Sequence, residues 1–383
     1  VFGCSMKFGL KGLVYDVSLE EKTEIIRAKV PTLPLITTAE TSEKSIPAVY
    51  PDENSLSTVI FTGGTTGNSK GARLSHRAVV RGTKNGCYGI KEIFNQRYFL
   101  VLPLTHVFGL IRNTLAAFYT GSSLFICRNN KNMFKDIATY RPTIMIFVPA
   151  LAEMALNLSK QFGRNMLGED MKTIICGAAP VSPYLVREYA KLGITLLPGY
   201  GLTESANLVS GNPEALAKPD SVGLIYEGME YKVVDGELWL KGINMMDGYF
   251  GDEENALAYE DGWFKTGDLV RFDEDGFLYI TGRCKNVIVA QNGKNIYPEE
   301  IEMQLLKSPL VSECIVFSGK NGEVNAELFP DYAELRSKSG KESLTESDAE
   351  NYMNAVIRTV NRRLPPYKRI KSFTLREEPF EKT

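Results

Sequence analysis

Thr62-Gly63-Gly64-Thr65-Thr66-Gly67-Asn68-Ser69-Lys70-Gly71 is the stretch from which the rest of this chain can be read. Four glycines, three threonines and a lysine stand within ten residues. Glycines let successive backbone N–H groups turn toward one anion, and threonine hydroxyls add donors without adding charge. Lys70 supplies a mobile point charge suited to a phosphate. The pattern is not a Walker A loop, because Ser69 precedes Lys70 and Gly71 follows it. It is not the G-x-G-x-x-G dinucleotide pattern either, since Gly63 and Gly64 are adjacent. Upstream, Ser57-Thr58-Val59-Ile60-Phe61 has strand composition. Downstream, Leu74-Ser75-His76-Arg77-Ala78-Val79-Val80 predicts a helix opening on a serine cap. Taken alone, the stretch is also compatible with a plain flexible Gly/Thr loop.

The bulk properties narrow the class. A chain of 383 residues exceeds one simple core and predicts two domains, one of them large. Hydrophobic residues make up 44% and charged residues 23%, as in ordinary globular proteins. A net charge of -2 and a pI near 6.0 give no electrostatic case for nucleic acid or an anionic membrane surface. The six cysteines are scattered without a C-x-x-C pair, which argues against a disulfide framework or a zinc site and suits the reducing cytoplasm. Two histidines do not make a His-rich metal centre. The longest uncharged apolar stretch, 143–152, is too short to span a bilayer.

Along the chain, strand and helix signals alternate. Residues 1–56 read as one β-α-β step, with a charged surface helix over 18–29. Arg97-Tyr98-Phe99-Leu100-Val101-Leu102-Pro103 predicts a strand, followed by Leu104-Thr105-His106. A histidine just past a strand's carboxyl end sits where open α/β sheets bind ligands, although a structural histidine fits equally. Leu124-Phe125-Ile126-Cys127 and the run 143–149 are continuously apolar, as parallel strands covered on both faces should be, and 151–162 is an amphipathic helix. The alternation predicts a doubly wound α/β architecture. Two turns follow further strands: Gly177-Ala178-Ala179-Pro180, and Pro198-Gly199-Tyr200-Gly201-Leu202-Thr203-Glu204-Ser205. The second offers an aromatic face, a hydroxyl and a carboxylate for stacking, phosphate contact and magnesium; its plainer reading is a turn and a capped helix. From 221 to 279 short alternating strands predict an antiparallel, β-rich region. Within it, Asp268 follows Gly267 and on its own would be turn chemistry. After Gly282-Arg283 a small α+β unit is expected. It has a helix opened by Pro298, Glu299 and Glu300, a strand over 311–317, a solvated loop over 337–348, a helix over 348–364 and a last strand over 370–375.

In this order the segments resemble the adenylate-forming superfamily of acyl- and aryl-CoA synthetases, luciferases and peptide-synthetase adenylation domains. The stretch 62–71 is similar to that family's phosphate loop, with Gly63 where serine is usual and Ser69 where proline is usual. Pro103-Leu104-Thr105-His106 resembles its acyl-pocket motif, and Gly177-Ala178-Ala179-Pro180 its adenine loop. Tyr200-Gly201-Leu202-Thr203-Glu204 resembles the segment that stacks adenine and holds phosphate and magnesium. Gly262-Trp263-Phe264-Lys265-Thr266-Gly267-Asp268 resembles the ribose motif. Gly282-Arg283-Cys284-Lys285 and Asn292-Gly293-Lys294-Asn295-Ile296-Tyr297-Pro298-Glu299-Glu300 resemble the interdomain hinge and the turn after it. The hinge wording is most similar to bacterial long-chain fatty-acid–CoA ligases.

The resemblance implies a large domain over 1–282, with doubly wound α/β sheets and a β-rich subdomain, joined by a hinge to a small mobile α+β domain over 283–383. It implies ATP-dependent activation of a carboxylic acid to acyl-AMP, followed by transfer to coenzyme A. ATP, magnesium and coenzyme A would be the cofactors and co-substrates. Thr62, Gly63, Gly64, Thr65, Thr66, Gly67 and Lys70 would hold phosphates. Gly177, Ala178, Ala179 and Tyr200 would frame the adenine, with Gly201 beside it. Thr203 would meet the α-phosphate, Glu204 the magnesium, His106 the acyl end, and Asp268 with Arg283 the ribose. Lys285 would be the pivot, and Gly293 would serve the thiol half-reaction. The family is longer at both ends: part of the large domain would precede Val1, and the catalytic lysine of its P-x-T-x-x-G-K pattern would follow Thr383, with Lys382 out of register for that role. Two other readings stay open from sequence, a ligase loading a carrier-protein thiol and a non-catalytic nucleotide-binding homologue.

Overall fold

The computed structural model describes the chain except residues 1–10, 33, 38–46, 48, 63–69, 88–93, 251, 291–293, 342 and 381–383. It divides into two compact units, Val1–Pro51 and Asp52–Thr383. In the first, strands β1 (Leu13–Tyr15) and β2 (Leu35–Thr37) pair in parallel, Leu13 opposite Leu35. The helix Glu20–Lys29 connects them, with Glu20 and Glu21 in its first turn and Arg27 and Lys29 in its last, each suited to the helix dipole. This is the expected β-α-β step.

The second unit opens with β3 (Leu56–Thr62) and β4 (Lys70–Ser75), antiparallel, with Thr62 opposite Lys70. Here the structure corrects the sequence reading. Leu74 belongs to strand β4, while the helix opens on its serine cap as expected, at His76–Asn85, with the Ser75 hydroxyl accepting from Ala78 N at 3.3 Å. Ala72 and Leu74 alternate into the core, each fully buried, which a strand does and a helix start does not. The Gly/Thr stretch thus joins two strands of a hairpin instead of feeding a helix.

A seven-stranded sheet follows, built from β5 (Arg97–Leu100), β6 (Ser123–Ile126), β7 (Ile144–Phe147), β8 (Thr173–Cys176), β9 (Thr195–Leu202), β10 (Asn207–Gly211) and β11 (Leu224–Ile225). Its order is β11-β10-β9-β8-β7-β5-β6, parallel from β6 to β9 and antiparallel beyond. Every residue of β7 and β8 is buried, which explains their unbroken apolar runs. After β5 the chain turns through His106 into a π-helix, Phe108–Leu115, where the Thr114 hydroxyl donates to Gly109 O at 3.0 Å. Gly109 packs so near the preceding turn that a Cβ there would lie 2.3 Å from Pro103 O.

The second correction concerns 198–205. Instead of a turn and a capped helix, β9 runs on through Gly199, Tyr200 and Gly201, turns at Thr203–Ser205 and returns as β10. The two glycines make this possible by backbone approach: a Cβ on Gly201 would stand 2.2 Å from Asn207 O.

The β-rich region is a sheet of β12 (Met229–Val234), β13 (Glu237–Gly242), β14 (Tyr259–Glu260), β15 (Trp263–Phe272) and β16 (Leu278–Arg283), antiparallel as expected. Two of its hairpins turn on Asp-Gly pairs with positive φ at both residues, Asp235-Gly236 and Asp261-Gly262, the backbone that matches strand twist. Beyond it lie β17 (Ile288–Val289), β18 (Asn295–Ile296), β19 (Val311–Ser318), β20 (Val324–Pro330) and β21 (Ile370–Leu375), with helices Pro298–Leu305, Tyr332–Ser339 and Glu346–Arg363. The sequence reading missed both β20 and the helix Tyr332–Ser339, and its loop over 337–348 is only partly irregular, since that helix and the start of Glu346–Arg363 fall within it. These last elements share one core, from Ile288 to Ile370, centred on Ile296, Ile301, Leu305, Leu328 and Met353.

Candidate active site

The site is assembled from β9, the turn after it, β15 and β16. Asp268 lies inside β15, not in a turn, next to Gly267 at φ +72°. Antiparallel pairing sets Asp268 opposite Arg283 of β16. The Thr266 hydroxyl donates to Leu238 O at 2.7 Å and accepts from Asp268 N at 3.0 Å, while Gly267 N donates to Glu237 Oε1 at 2.7 Å. These bonds hold the kink that turns the Asp268 side chain inward, where it is 2% exposed. There its carboxylate accepts from the Tyr200 hydroxyl at 2.6 Å and pairs with Arg283 Nε at 2.8 Å.

Burial raises the Asp268 pKa above the usual aspartate range, opposed by Arg283 and by the Tyr200 hydroxyl. The Tyr200 phenol is pushed well above its ordinary value by burial and then by the Asp268 charge, so it stays a neutral donor. A carboxylate has about four lone-pair sites, and two are taken here, which leaves room for two further donors.

A second group forms around Glu204. Tyr249 donates its hydroxyl to Glu204 Oε1, and Lys70 Nζ stands 5.2 Å from the Tyr249 ring centroid. Segment 244–250 stitches these far-separated residues together. Met246 N donates to Glu204 O at 2.7 Å and Asn244 Nδ2 to Ser205 O at 2.8 Å, while Phe250 N donates to Gly71 O at 3.1 Å beside Lys70. Burial and the Glu204 charge push the Tyr249 phenol far above its ordinary value, so it too remains a donor. Glu204 suits magnesium that arrives with a polyphosphate, since that ion commonly takes one or two carboxylates plus phosphate oxygens. Among the described residues no group of three or more His, Cys, Asp or Glu forms a cage of its own.

The sequence matches the AMP-binding enzyme family over residues 11–250 and the C-terminal domain of AMP-binding enzymes over 285–383. The chain belongs to the AMP-binding enzyme family. Among its relatives, it is 31% identical to the peroxisomal OPC-8:0-CoA ligase 1 of Arabidopsis thaliana, over 84% of this chain and 60% of that protein. It is 28% identical to the long-chain-fatty-acid–CoA ligase FadD15 of Mycobacterium tuberculosis, over 83% of this chain and 63% of that protein. The chain therefore spans less than two thirds of the length of these relatives. Its fold is that of the o-succinylbenzoate coenzyme A synthetase MenE of Bacillus subtilis, solved with ATP and magnesium: TM-score 0.78 at 25% identity, over 98% of this chain and 78% of that one. The mixed α/β class expected from the sequence is the one observed.

Within this AMP-binding fold the sequence candidates fall as follows. Tyr200, Asp268 and Arg283 meet directly, and Lys70 and Glu204 meet through Tyr249. Thr62 ends β3 opposite Lys70. Thr203 and Gly201 lie in and beside the turn that carries Glu204. His106 is exposed after β5, and Gly177, Ala178 and Ala179 follow β8, so they share the carboxyl edge of the sheet that carries Tyr200. A Cβ on Gly177 would stand 2.7 Å from Gly199 O, which explains the small residue. Lys285 lies in the 3₁₀ turn Cys284–Asn286 directly after Arg283. Gly63, Gly64, Thr65, Thr66, Gly67 and Gly293, with Lys382, lie outside the described residues. Sequence reasoning missed Tyr249, which it placed in a strand; nothing local marks it, because its role depends on Glu204 lying opposite.

Proposed function

We propose that this protein activates a carboxylic acid with ATP and passes the acyl group to coenzyme A. The observation that carries the reading is the buried Asp268 carboxylate held between Tyr200 and Arg283, with acceptor capacity for two ribose hydroxyls. In the first step an oxygen of the acid attacks the α-phosphorus of ATP. The O–P bond forms as the bond to the β-phosphate bridging oxygen breaks, and pyrophosphate leaves. In the second, the thiol sulfur attacks the acyl carbon and AMP departs with the bonding pair.

Phosphoryl transfer asks the protein for alignment and charge neutralisation rather than covalent chemistry. Lys70 and Thr62, with Gly63, Gly64, Thr65, Thr66 and Gly67, hold the outer phosphates, and Thr203 meets the α-phosphate. Glu204 holds magnesium, which neutralises phosphate charge when bound; Tyr249 keeps the Glu204 carboxylate in one orientation. Tyr200 covers the adenine, Gly177, Ala178 and Ala179 border it, and His106 faces the acyl end. A small domain starting at Arg283 and packed on its own core rotates about Lys285 between the steps, bringing Gly293 to the thiol. For the acyl group, the hinge wording and the FadD15 relative favour a long-chain fatty acid, while the Arabidopsis relative is named for OPC-8:0.

The test is pyrophosphate release from ATP across a panel of acids, with hydroxylamine trapping of the acyl-adenylate and thioester analysis with coenzyme A. The expected result is acid-dependent pyrophosphate followed by thioester. Adenylate without thioester would move the acceptor to a carrier-protein thiol. ATP binding with no pyrophosphate from any acid would make the chain a nucleotide-binding homologue.

A further inference from the structure

Two cavities lie along β9 and the segment that follows β10. The first, of about 200 Å³, is lined by Gly86, Ile175, Leu197, Gly211, Pro213 and Tyr226 among others. The second, of about 470 Å³, is walled by helix Pro183–Lys191 and segment 213–217, with Val186, Ala190, Ile194 and Leu216 among its lining residues. Leu197 and Pro213 line both, so the two cavities share a wall. Neither is lined by a lysine, arginine or histidine, and the carboxylates on their walls, Glu227 and Glu214, belong to exposed residues. Asn212 spends its amide on Lys218 O, Ser221 O and Glu214 N. Burial holds the Tyr226 phenol neutral, its pKa raised to about 12. Such mostly apolar walls suit an uncharged tail and penalise a second ionised group.

A row of glycines leads from the candidate site to the first cavity. Leu197 and Gly199 of β9 fall on one face of the sheet by strand alternation, and pairing sets Ile175 beside Leu197 and Gly211 beside Gly199. Gly177 packs on Gly199. A Cβ on Gly177 would stand 2.7 Å from Gly199 O and 3.4 Å from Phe108 Cζ, and one on Gly199 would stand 3.0 Å from Leu208 Cδ1. Apolar Phe108 and Leu208 thus overhang this row, and Phe108 lies two residues past His106. An apolar cavity of about 150 Å³ holds one benzene ring. The first cavity therefore takes a short or compact tail, and a longer one needs the second.

We propose that the far end of a long, uncharged acyl chain lies in the second cavity, and that Ala190, Leu197 and Leu216 thereby select chain length. The inference rests on the acyl-activation reading for the reacting end of the acid, but not for binding of its chain. Leu197 belongs to the shared wall, Ala190 is the small residue on the helix side, and Leu216 is 64% exposed at the solvent side. Ala190→Phe fills the second cavity from the helix. Leu216→Asp sets a charge against the chain at an exposed position, where folding is little affected. The experiment measures pyrophosphate release with octanoate and with palmitate, and binding of radiolabelled palmitate by equilibrium dialysis, on wild type and both variants, with a thermal melt of each.

The ratio of palmitate to octanoate kcat/KM should fall about 10-fold or more in each variant, since one methylene kept out of an apolar pocket already costs about that much. Radiolabelled palmitate should bind at least about 10-fold more weakly to both. If Ala190→Phe melts below wild type, Leu216→Asp decides by the same ratio. Palmitate binding that the variants weaken, without pyrophosphate from either acid, would support the inference and sink the activation reading. Pyrophosphate release with an unchanged ratio in both variants would overturn the inference and leave that reading intact. Losses in equal proportion for the two acids would also overturn it, because the substitutions would then act on the fold and not on the chain. So would a wild type that activates octanoate but neither binds nor activates palmitate.

Discussion

Replacing Asp268 by alanine removes an acceptor shared by two strands. In the wild type its oxygens take the Tyr200 hydroxyl at 2.6 Å and Arg283 Nε at 2.8 Å, in a setting only 2% exposed. Two effects follow, and they separate. The first concerns folding. Tyr200 would keep a buried hydroxyl without an acceptor, at about 1–3 kcal/mol, partly offset because a desolvated carboxylate is gone. Arg283 regains water easily, because its side chain is 56% exposed. The second concerns ATP. Losing a charged acceptor to two ribose hydroxyls should cost about 2–3 kcal/mol of binding, or roughly 30- to 150-fold in Kd. Tyr200→Phe is the control: it removes one hydrogen bond to Asp268 but leaves the carboxylate and its Arg283 partner, so its ATP Kd should rise by less than about 10-fold. Calorimetry with ATP and a thermal melt on the same preparations distinguish the two effects. An Asp268→Ala protein that melts cooperatively and binds ATP as tightly as wild type would refute the assignment. Equal Kd losses in the two variants would make Asp268 a scaffold for Tyr200 instead of a ribose acceptor.

Tyr249→Phe should leave ATP affinity nearly unchanged but lower the rate of pyrophosphate release by about 10-fold, because Glu204 loses the donor that orients it; an unchanged rate would remove Tyr249 from the site. Lys285→Pro should spare adenylate formation and cripple thioester formation, as proline fixes φ at the proposed pivot; parallel loss of both half-reactions would argue against a hinge there. Gly201→Ala should lower stability by about 2 kcal/mol or more, since its Cβ would meet Asn207 O at 2.2 Å, and an unshifted Tm would contradict the close β9–β10 approach. Glu302 has its carboxyl pushed up to about 7 by burial. A folded pKa above the unfolded value means stability present below about pH 4.5 and lost as pH rises through 7, by about 2–3 kcal/mol. Glu302→Gln keeps the acceptor for Val316 N, so it should flatten this slope between pH 5 and 8 and raise the Tm at pH 8; an unaltered slope would sink the attribution.

Much of this protein was legible in its residues because the signals are local. Continuous apolar runs at β7 and β8 report strands covered on both faces, whatever covers them. Ser75 caps its helix because the cap bond spans only three residues. The β-rich region showed in its alternating strands, and its Asp-Gly turns are set by backbone sterics at two residues. Tyr200 and Glu204 stand in one short motif whose residue types suit stacking and magnesium, whereas Asp268 and Arg283 are singled out by the resemblance to adenylate-forming enzymes and not by local composition.

Other features depend on partners distant in sequence, and no local rule contains them. Pro198, Gly199 and Gly201 are turn-formers by propensity, yet β8 pairs as far as Pro198 and β10 pairs with Gly199 through Leu202, which holds the segment extended. Lys70-Gly71-Ala72-Arg73 became a strand for the same reason, because β3 lies alongside and the core below takes Ala72 and Leu74. Tyr249 matters only because segment 244–250 crosses Glu204. Arg112 in sequence is one cation in an apolar helix, indistinguishable from a surface arginine. That it is fully buried against Gly86 follows from segments distant in sequence packing together, since burial is a property of the surroundings and not of the residue.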